Sequence, residues 1–272
     1  MKPIDQNINS VGFRRYFENT SWLLLEKIVK IFIATFVSIA LARYLGPSDF
    51  GKLNYAISIT TILMVFVTFG SDEILVKELL SKKINENIII SSAVFFRLVG
   101  AIISFAMICI VSFFDESNKY IIVVVASSLI FQVFGVIESF LQSKVHSRKS
   151  SFLNIVLGLL SALIKIYLIY KNKSLIFFAY AYVLDAFTLF VGQFILLRRE
   201  QVVFKFVNIK VSFIKNLFKQ SWPLALGGLI ISVYMRIDQI MIEHMYSSTE
   251  VGIYSAALRI SEAWYFIRMV IS

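Results

Sequence analysis

The sequence predicts an all-α polytopic membrane protein: a six-helix N-terminal lobe followed by the first two helices of a repeated second lobe. Three observations lead there. The 272 residues are 58% hydrophobic and only 16% charged, with a mean hydropathy of +0.78, which leaves too little polar surface for a soluble domain. Several apolar segments exceed the roughly 18 residues that cross a bilayer core, and in hydrocarbon only helices or closed barrels satisfy the backbone. A turn also occurs twice. Asp49-Phe50-Gly51 recurs about 201 residues later as Glu250-Val251-Gly252, Ala56 recurs as Ala257, and upstream Ser21-Trp22 recurs as Ser221-Trp222.

The expected spans are 20–43, 50–71, 88–113, 119–142, 151–170, 174–197, 221–243 and 252–272. The first six make a lobe over residues 1–197, residues 198–220 a cytoplasmic amphipathic linker, and residues 221–272 the opening of the second lobe. Because the second copy starts near residue 219 and the sequence ends at Ser272, that lobe reads as incomplete and the chain as C-terminally truncated. Trp22 to Ala42 is an uncleaved span, since the polar residues before it lack a small-residue cleavage site. Gly46-Pro47 is a turn signal that ends it. Two connections, Asp72 to Asn87 and Arg198 to Gln220, alternate apolar and charged residues as amphipathic helices resting in the interface do. Pro223 falls in the first turn of span seven, where a missing N–H costs little. Gly227-Gly228 allows close helix packing or a bend.

Lysine and arginine set the orientation. With the N-terminus inside, fifteen of them fall in inside segments and five in outside loops, so the N-terminus is predicted cytoplasmic. The same rule accounts for the net charge of +10 without nucleic acid, for which the sequence carries no motif.

Charged residues inside the spans carry the functional argument, because each costs about 2.5–3.5 kcal/mol at a membrane helix centre unless it meets water or a partner. Span one holds Glu26, Lys27 and Lys30. Glu26 and Lys30 are four apart and share a face, with Lys30 roughly 15 Å deep. Lys27 is shallower and within reach of the interface. Span three holds Arg97, span five Lys165 and span six Asp185, while Glu138 lies near the inner end of span four and reads as interfacial. Span seven holds Arg236 and Asp238, and span eight Arg259, Glu262 and Arg268. Arg236 or Asp238 is placed to meet Arg259 or Glu262 between the two neighbouring spans. The deep set carries five cations against three acids. That surplus calls for water, lipid phosphate or an anionic ligand, and both guanidinium and ammonium groups bind phosphate.

Other chemistry finds no support. There is no phosphate-binding G-x-x-x-x-G-K-[ST] sequence and no nucleophile elbow. His146 and His244 lack metal-ligand spacing, and the lone Cys109 sits in an apolar run. No cofactor and no enzyme activity are expected. Energy input would then come from an ion or substrate gradient, with Asp185, Asp238 and Glu262 as ion-coupling candidates.

Leu41-Ala42-Arg43-Tyr44-Leu45-Gly46-Pro47-Ser48-Asp49-Phe50-Gly51 resembles the first-loop signature of bacterial polysaccharide biosynthesis flippases of the O-antigen (Wzx) type. Arg236-Ile237-Asp238-Gln239-Ile240-Met241-Ile242, with Glu250-Val251-Gly252-Ile253-Tyr254-Ser255-Ala256-Ala257, is similar to the opening of that family's second lobe. The family lies within the multidrug, oligosaccharidyl-lipid and polysaccharide exporter superfamily. The resemblance implies a bacterial inner-membrane protein with a cationic central cavity, which moves undecaprenyl-diphosphate-linked oligosaccharide between leaflets by alternating access. It implies Lys30, Arg97, Arg236 and Arg259 as substrate contacts. The partners would be membrane lipid and, for assembly of the glycan, a polysaccharide polymerase and chain-length proteins. Two alternatives stay open: an organic-cation antiporter of the same superfamily, which would want an acidic cavity, and a non-transporting membrane scaffold.

Overall fold

The computed structural model describes residues 6–113, 115, 117–144, 147–200 and 206–262, with side chains from residue 21 onward except at 147, 206 and 262. The described residues form an all-α polytopic bundle, in which five helices are long and apolar enough to cross a membrane.

The first element, α1 (Gln6–Thr68), holds the first two predicted spans as two arms. They part at Gly46, whose φ of 71° and ψ of 171° are reached at ease only by glycine, with Pro47 following. A tight turn through Phe69 and Gly70, both at positive φ, leads into α2 (Asp72–Ser81), whose Ile74, Leu75 and Leu79 are buried. The segment read as amphipathic is therefore a short helix with its apolar stripe turned inward. Next comes α3 (Glu86–Phe113).

Span four is broken into α4 (Lys119–Ala126), α5 (Ser128–Phe131), a 3₁₀ turn over Gln132–Gly135 and α6 (Val136–Ser143). A mid-helix 3₁₀ stretch has poorer hydrogen-bond geometry and marks a bend or functional hinge. Two long helices follow, α7 (Ser147–Tyr170) and α8 (Leu175–Arg199). The long α9 (Val211–Met245) already begins within residues 198–220, where the basic amphipathic run lies, and continues without a break through Pro223. The last described helix, α10 (Ser248–Glu262), covers the first part of predicted span eight. Residues 263–272, including Arg268, lie outside the described residues.

Small residues set the closest approaches, as van der Waals packing in lipid requires. A Cβ on Gly100 of α3 would overlap the Phe66 carbonyl oxygen of α1. One turn on, the Ser104 hydroxyl donates to the Leu63 carbonyl at 3.0 Å. Gly70 lies against Leu224 and Ala225 of α9, and beside it Phe69 stacks on Phe218 with centroids 5.0 Å apart. On the other side of the 3₁₀ turn, Phe131 and Phe134 pack edge-on against Phe187 and Phe190 of α8.

The repeated turns explain each other. A Cβ on Gly51 would overlap the carbonyl oxygen of Ser248, and a Cβ on Gly252 would overlap that of Pro47. At the offset of about 201 residues, Gly51 corresponds to Gly252 and Pro47 to Ser248. The two contacts are thus the same contact made reciprocally, the signature of a local two-fold relation between the copies. Phe50 and its counterpart Val251 are both buried. The motif that recurs in the sequence is the surface by which its two copies clasp.

Candidate functional site

Among the described residues, Arg97 is the largest fully buried side chain, with only 1% of its surface exposed. Burying a guanidinium is tolerable only when its donors are satisfied and its charge is balanced. The Phe69–Ser71 turn and the start of α2 do both. Arg97 Nε and Nη2 donate to Ser71 Oγ at 3.3 and 3.1 Å, and Nη2 reaches Asp72 Oδ1 at 2.5 Å. The Ser139 hydroxyl of α6 donates to the same carboxylate oxygen at 3.0 Å. Room for the guanidinium comes from Gly135 in the 3₁₀ turn, where a Cβ would lie 3.3 Å from Arg97 Nη1.

Arg97 and Asp72 line a cavity of about 400 Å³, together with Thr68, Gln132, Glu138, Tyr182, Asp185 and Gln193 among others. Asp185 is ion-paired across to Lys165 of α7 at 2.6 Å, and Lys165 also donates to Ser161 at 3.0 Å. Glu138 accepts from two amides, Asn154 at 3.0 Å and Gln193 at 3.3 Å. It also lines a second cavity of about 280 Å³ with Glu26, Lys27 and Asn154. Asn154 joins the two sides, since the same Nδ2 donates to Glu26 at 2.8 Å. Glu26 holds Lys30 at 2.6 Å, the pair expected from their spacing of four.

The two arginines from the second copy do not line this cavity and act on its wall only through long-range electrostatics. Tyr182, in the cavity wall, lies within electrostatic reach of Asp185 on its own helix and of Arg236 on α9 and Arg259 on α10. Asp238 accepts from the Tyr254 hydroxyl of α10 at 2.7 Å, so one α9–α10 polar contact runs through a tyrosine. The side chain of Glu262 lies outside the described residues.

Of the residues singled out in the sequence, Arg97 and Asp185 share the larger cavity, and Arg236 and Arg259 are outside its lining. Lys30 stands apart, beside the smaller one. Sequence reasoning misses Asp72 and Glu138. It places Asp72 on a cytoplasmic helix and Glu138 at the interface, yet both face the cavity that Arg97 enters. Asp72, Glu138 and Asp185 beside Arg97 make this wall acid-rich, where a cationic one is expected. The Gln132…Gly135…Glu138 spacing inside an apolar span is the available signal, since polar residues and a glycine in lipid need partners.

A protein-family model described as polysaccharide biosynthesis protein matches residues 16–270. Among solved structures, one described as the MATE multidrug transporter DinF-BH in complex with a ligand is similar over 93% of this chain, with a TM-score of 0.65 at 13% identity. At that identity the likeness speaks for the fold alone. The chain spans 61% of the length of that transporter. No curated protein sequence matches the chain.

Proposed function

The chain belongs to the polysaccharide biosynthesis protein family, and from that premise we propose that it is a flippase for undecaprenyl-diphosphate-linked oligosaccharide in the bacterial inner membrane. Residues 1–197 form one lobe and residues 221–272 open the other, joined by 198–220, with the N-terminus cytoplasmic. The diphosphate is held by Arg236 and Arg259, and the sugars by the polar wall of Gln132, Tyr182 and Gln193. Arg97 supports that wall, and Lys30 meets the headgroup on its way in. Asp185 and Asp238, with Glu262, take the coupling ion. The observation that carries this reading is a polar cavity of about 400 Å³ lined by Gln132, Tyr182 and Gln193, with the charges of Arg236 and Arg259 felt at Tyr182 from outside its wall. Guanidinium forks grip phosphate oxygens in pairs, and a chamber lined by amides and a phenol suits hydroxyl-rich cargo.

Surface glycan in a strain whose own copy is deleted tests this. Arg236→Ala and Arg259→Ala, expressed at wild-type level, are expected to lower display of the polysaccharide by about tenfold or more, as the loss of a charge-assisted contact of roughly 1.5–3 kcal/mol implies. Full display in both would refute the assignment.

The acid-rich wall favours a second reading. Three carboxylates, Asp72, Glu138 and Asp185, line the cavity with one arginine, a composition that attracts organic cations. Expulsion of a cationic dye by the protein, with glycan display untouched, would select this reading.

A further inference from the structure

The smaller cavity, of about 280 Å³, lies where α1, α6 and α7 meet. Its place in the fold sets its depth. Gln142 stands one residue before the end of α6, and Ser150 lies in the first turn of α7. Next to the lining Leu23, the Trp22 ring holds the Arg148 guanidinium 5.1 Å from its centre. Tryptophan and arginine near helix ends settle in the headgroup layer, so the cavity stands at the level of one leaflet's headgroups. Its floor is closed: Glu26 is 7% exposed and Asn154 3%. Its rim, made of Lys27, Glu138 and Gln142, is exposed.

The floor is already paired, since Glu26 holds Lys30 at 2.6 Å and accepts from Asn154 at 2.8 Å. The rim keeps one charge of each sign. Glu138 accepts only from the neutral amides of Asn154 and Gln193, both on Oε1. Among the described residues, neither Glu138 nor Lys27 has an ion-pair partner, and they do not pair with each other. A guest that satisfies both carries an anion and an ammonium a short chain apart. We propose that this cavity holds the headgroup of a phosphatidylethanolamine lipid. Its ammonium donates to the Glu138 carboxylate, with the Gln142 carbonyl beside it, and its phosphate meets Lys27. Both contacts are charge-assisted hydrogen bonds, the strong kind. Other headgroups satisfy one end only. Phosphatidylglycerol brings a phosphate to Lys27 but no cation to Glu138, and the quaternary ammonium of phosphatidylcholine has charge but no N–H to donate. The bound headgroup ties α1 to α6. Because Glu138 also lines the larger cavity, the same lipid steadies a carboxylate of that wall. The inference is independent of which cargo the chain carries.

Trp22 reports on the site, and the pair Trp222→Phe and Trp264→Phe leaves it as the single tryptophan of the chain. The full chain with both substitutions is reconstituted into phosphatidylcholine vesicles. Quenching of Trp22 is then titrated with lipids brominated in the upper acyl chain. Phosphatidylethanolamine is expected to quench at a mole fraction about five- to tenfold lower than phosphatidylcholine, the order that one charge-assisted hydrogen bond supplies. Glu138→Gln should bring the two lipids level. Lys27→Gln, on the exposed rim, should keep that preference but remove the advantage of phosphatidylethanolamine over a phosphate-free glycosyl diacylglycerol. It therefore decides the case if the glutamine variant at Glu138 does not fold. Equal quenching by phosphatidylethanolamine and phosphatidylcholine before either rim substitution would overturn the proposal. So would a preference that survives Glu138→Gln, or an advantage over the glycolipid that survives Lys27→Gln.

Discussion

Arg97 owes its place to three partners that are distant in sequence: Ser71, Asp72 and the bare backbone of Gly135. Truncating Asp72 to alanine leaves a buried guanidinium with only a hydroxyl, so Asp72→Ala is expected to lose up to about 3 kcal/mol. Asp72 is itself half exposed to the cavity, which keeps the loss at the lower end for a broken buried pair. Arg97→Lys retains the charge without the fork that serves Ser71 and Asp72 together, and should fall between wild type and Asp72→Ala. Thermal unfolding in detergent reads both, and an Asp72→Ala protein as stable as wild type would show that the charge on Arg97 is balanced elsewhere. Legibility at this scale follows sequence distance. Glu26 and Lys30 pair along one helix and are readable from spacing four. Asp72 and Arg97 meet only because the Phe69–Ser71 turn folds back on α3, and Glu138 faces inward only because the 3₁₀ turn precedes α6. No local pattern carries the first fact, and only the Gln132…Gly135…Glu138 spacing points to the second.

Among the helical elements, the clasp makes the sharpest prediction. Gly51→Ala and Gly252→Ala each drive a methyl group into a backbone carbonyl of the opposite copy, and backbone cannot step aside as a side-chain tip can. Each should cost about 1–3 kcal/mol or more and weaken the contact between α1 and α10. Gly227→Ala is the matched control: its Cβ meets open space, and alanine gains roughly 0.5–1 kcal/mol of helix propensity. Equal melting temperatures for Gly51→Ala and Gly227→Ala would contradict the clasp. The repeat is visible in the sequence, but its meaning is not, because a glycine spared for a close approach looks the same as one placed in a turn. Of the two loop glycines, Gly46 with φ of 71° makes the bend and Gly51 makes the contact. The 3₁₀ interruption of span four is likewise hidden inside a run whose hydropathy is unbroken.

For the whole molecule, composition, span length and charge patterning suffice for an all-α polytopic membrane protein, while the polysaccharide biosynthesis family is reached only through the resemblance of the repeated turn and the α9 motif. The sign of the cavity wall does not follow from counting charges along spans. Two acids outside the deep set, Asp72 and Glu138, enter the cavity, while Lys165 is taken up by Asp185. The acids thus lie on the wall of the first six spans, while Arg236 and Arg259 stay outside that lining. The proposed cargo is put to the test by reconstituting the full chain into liposomes that contain undecaprenyl-diphosphate-linked oligosaccharide and following exposure of the sugar to a lectin added outside. A flippase gives lectin capture beyond the half of the lipid initially outside, slowed about tenfold or more by Arg236→Ala or Arg259→Ala. Capture that stops at the outer half in the wild type, while a cationic dye crosses the same vesicles, would contradict it.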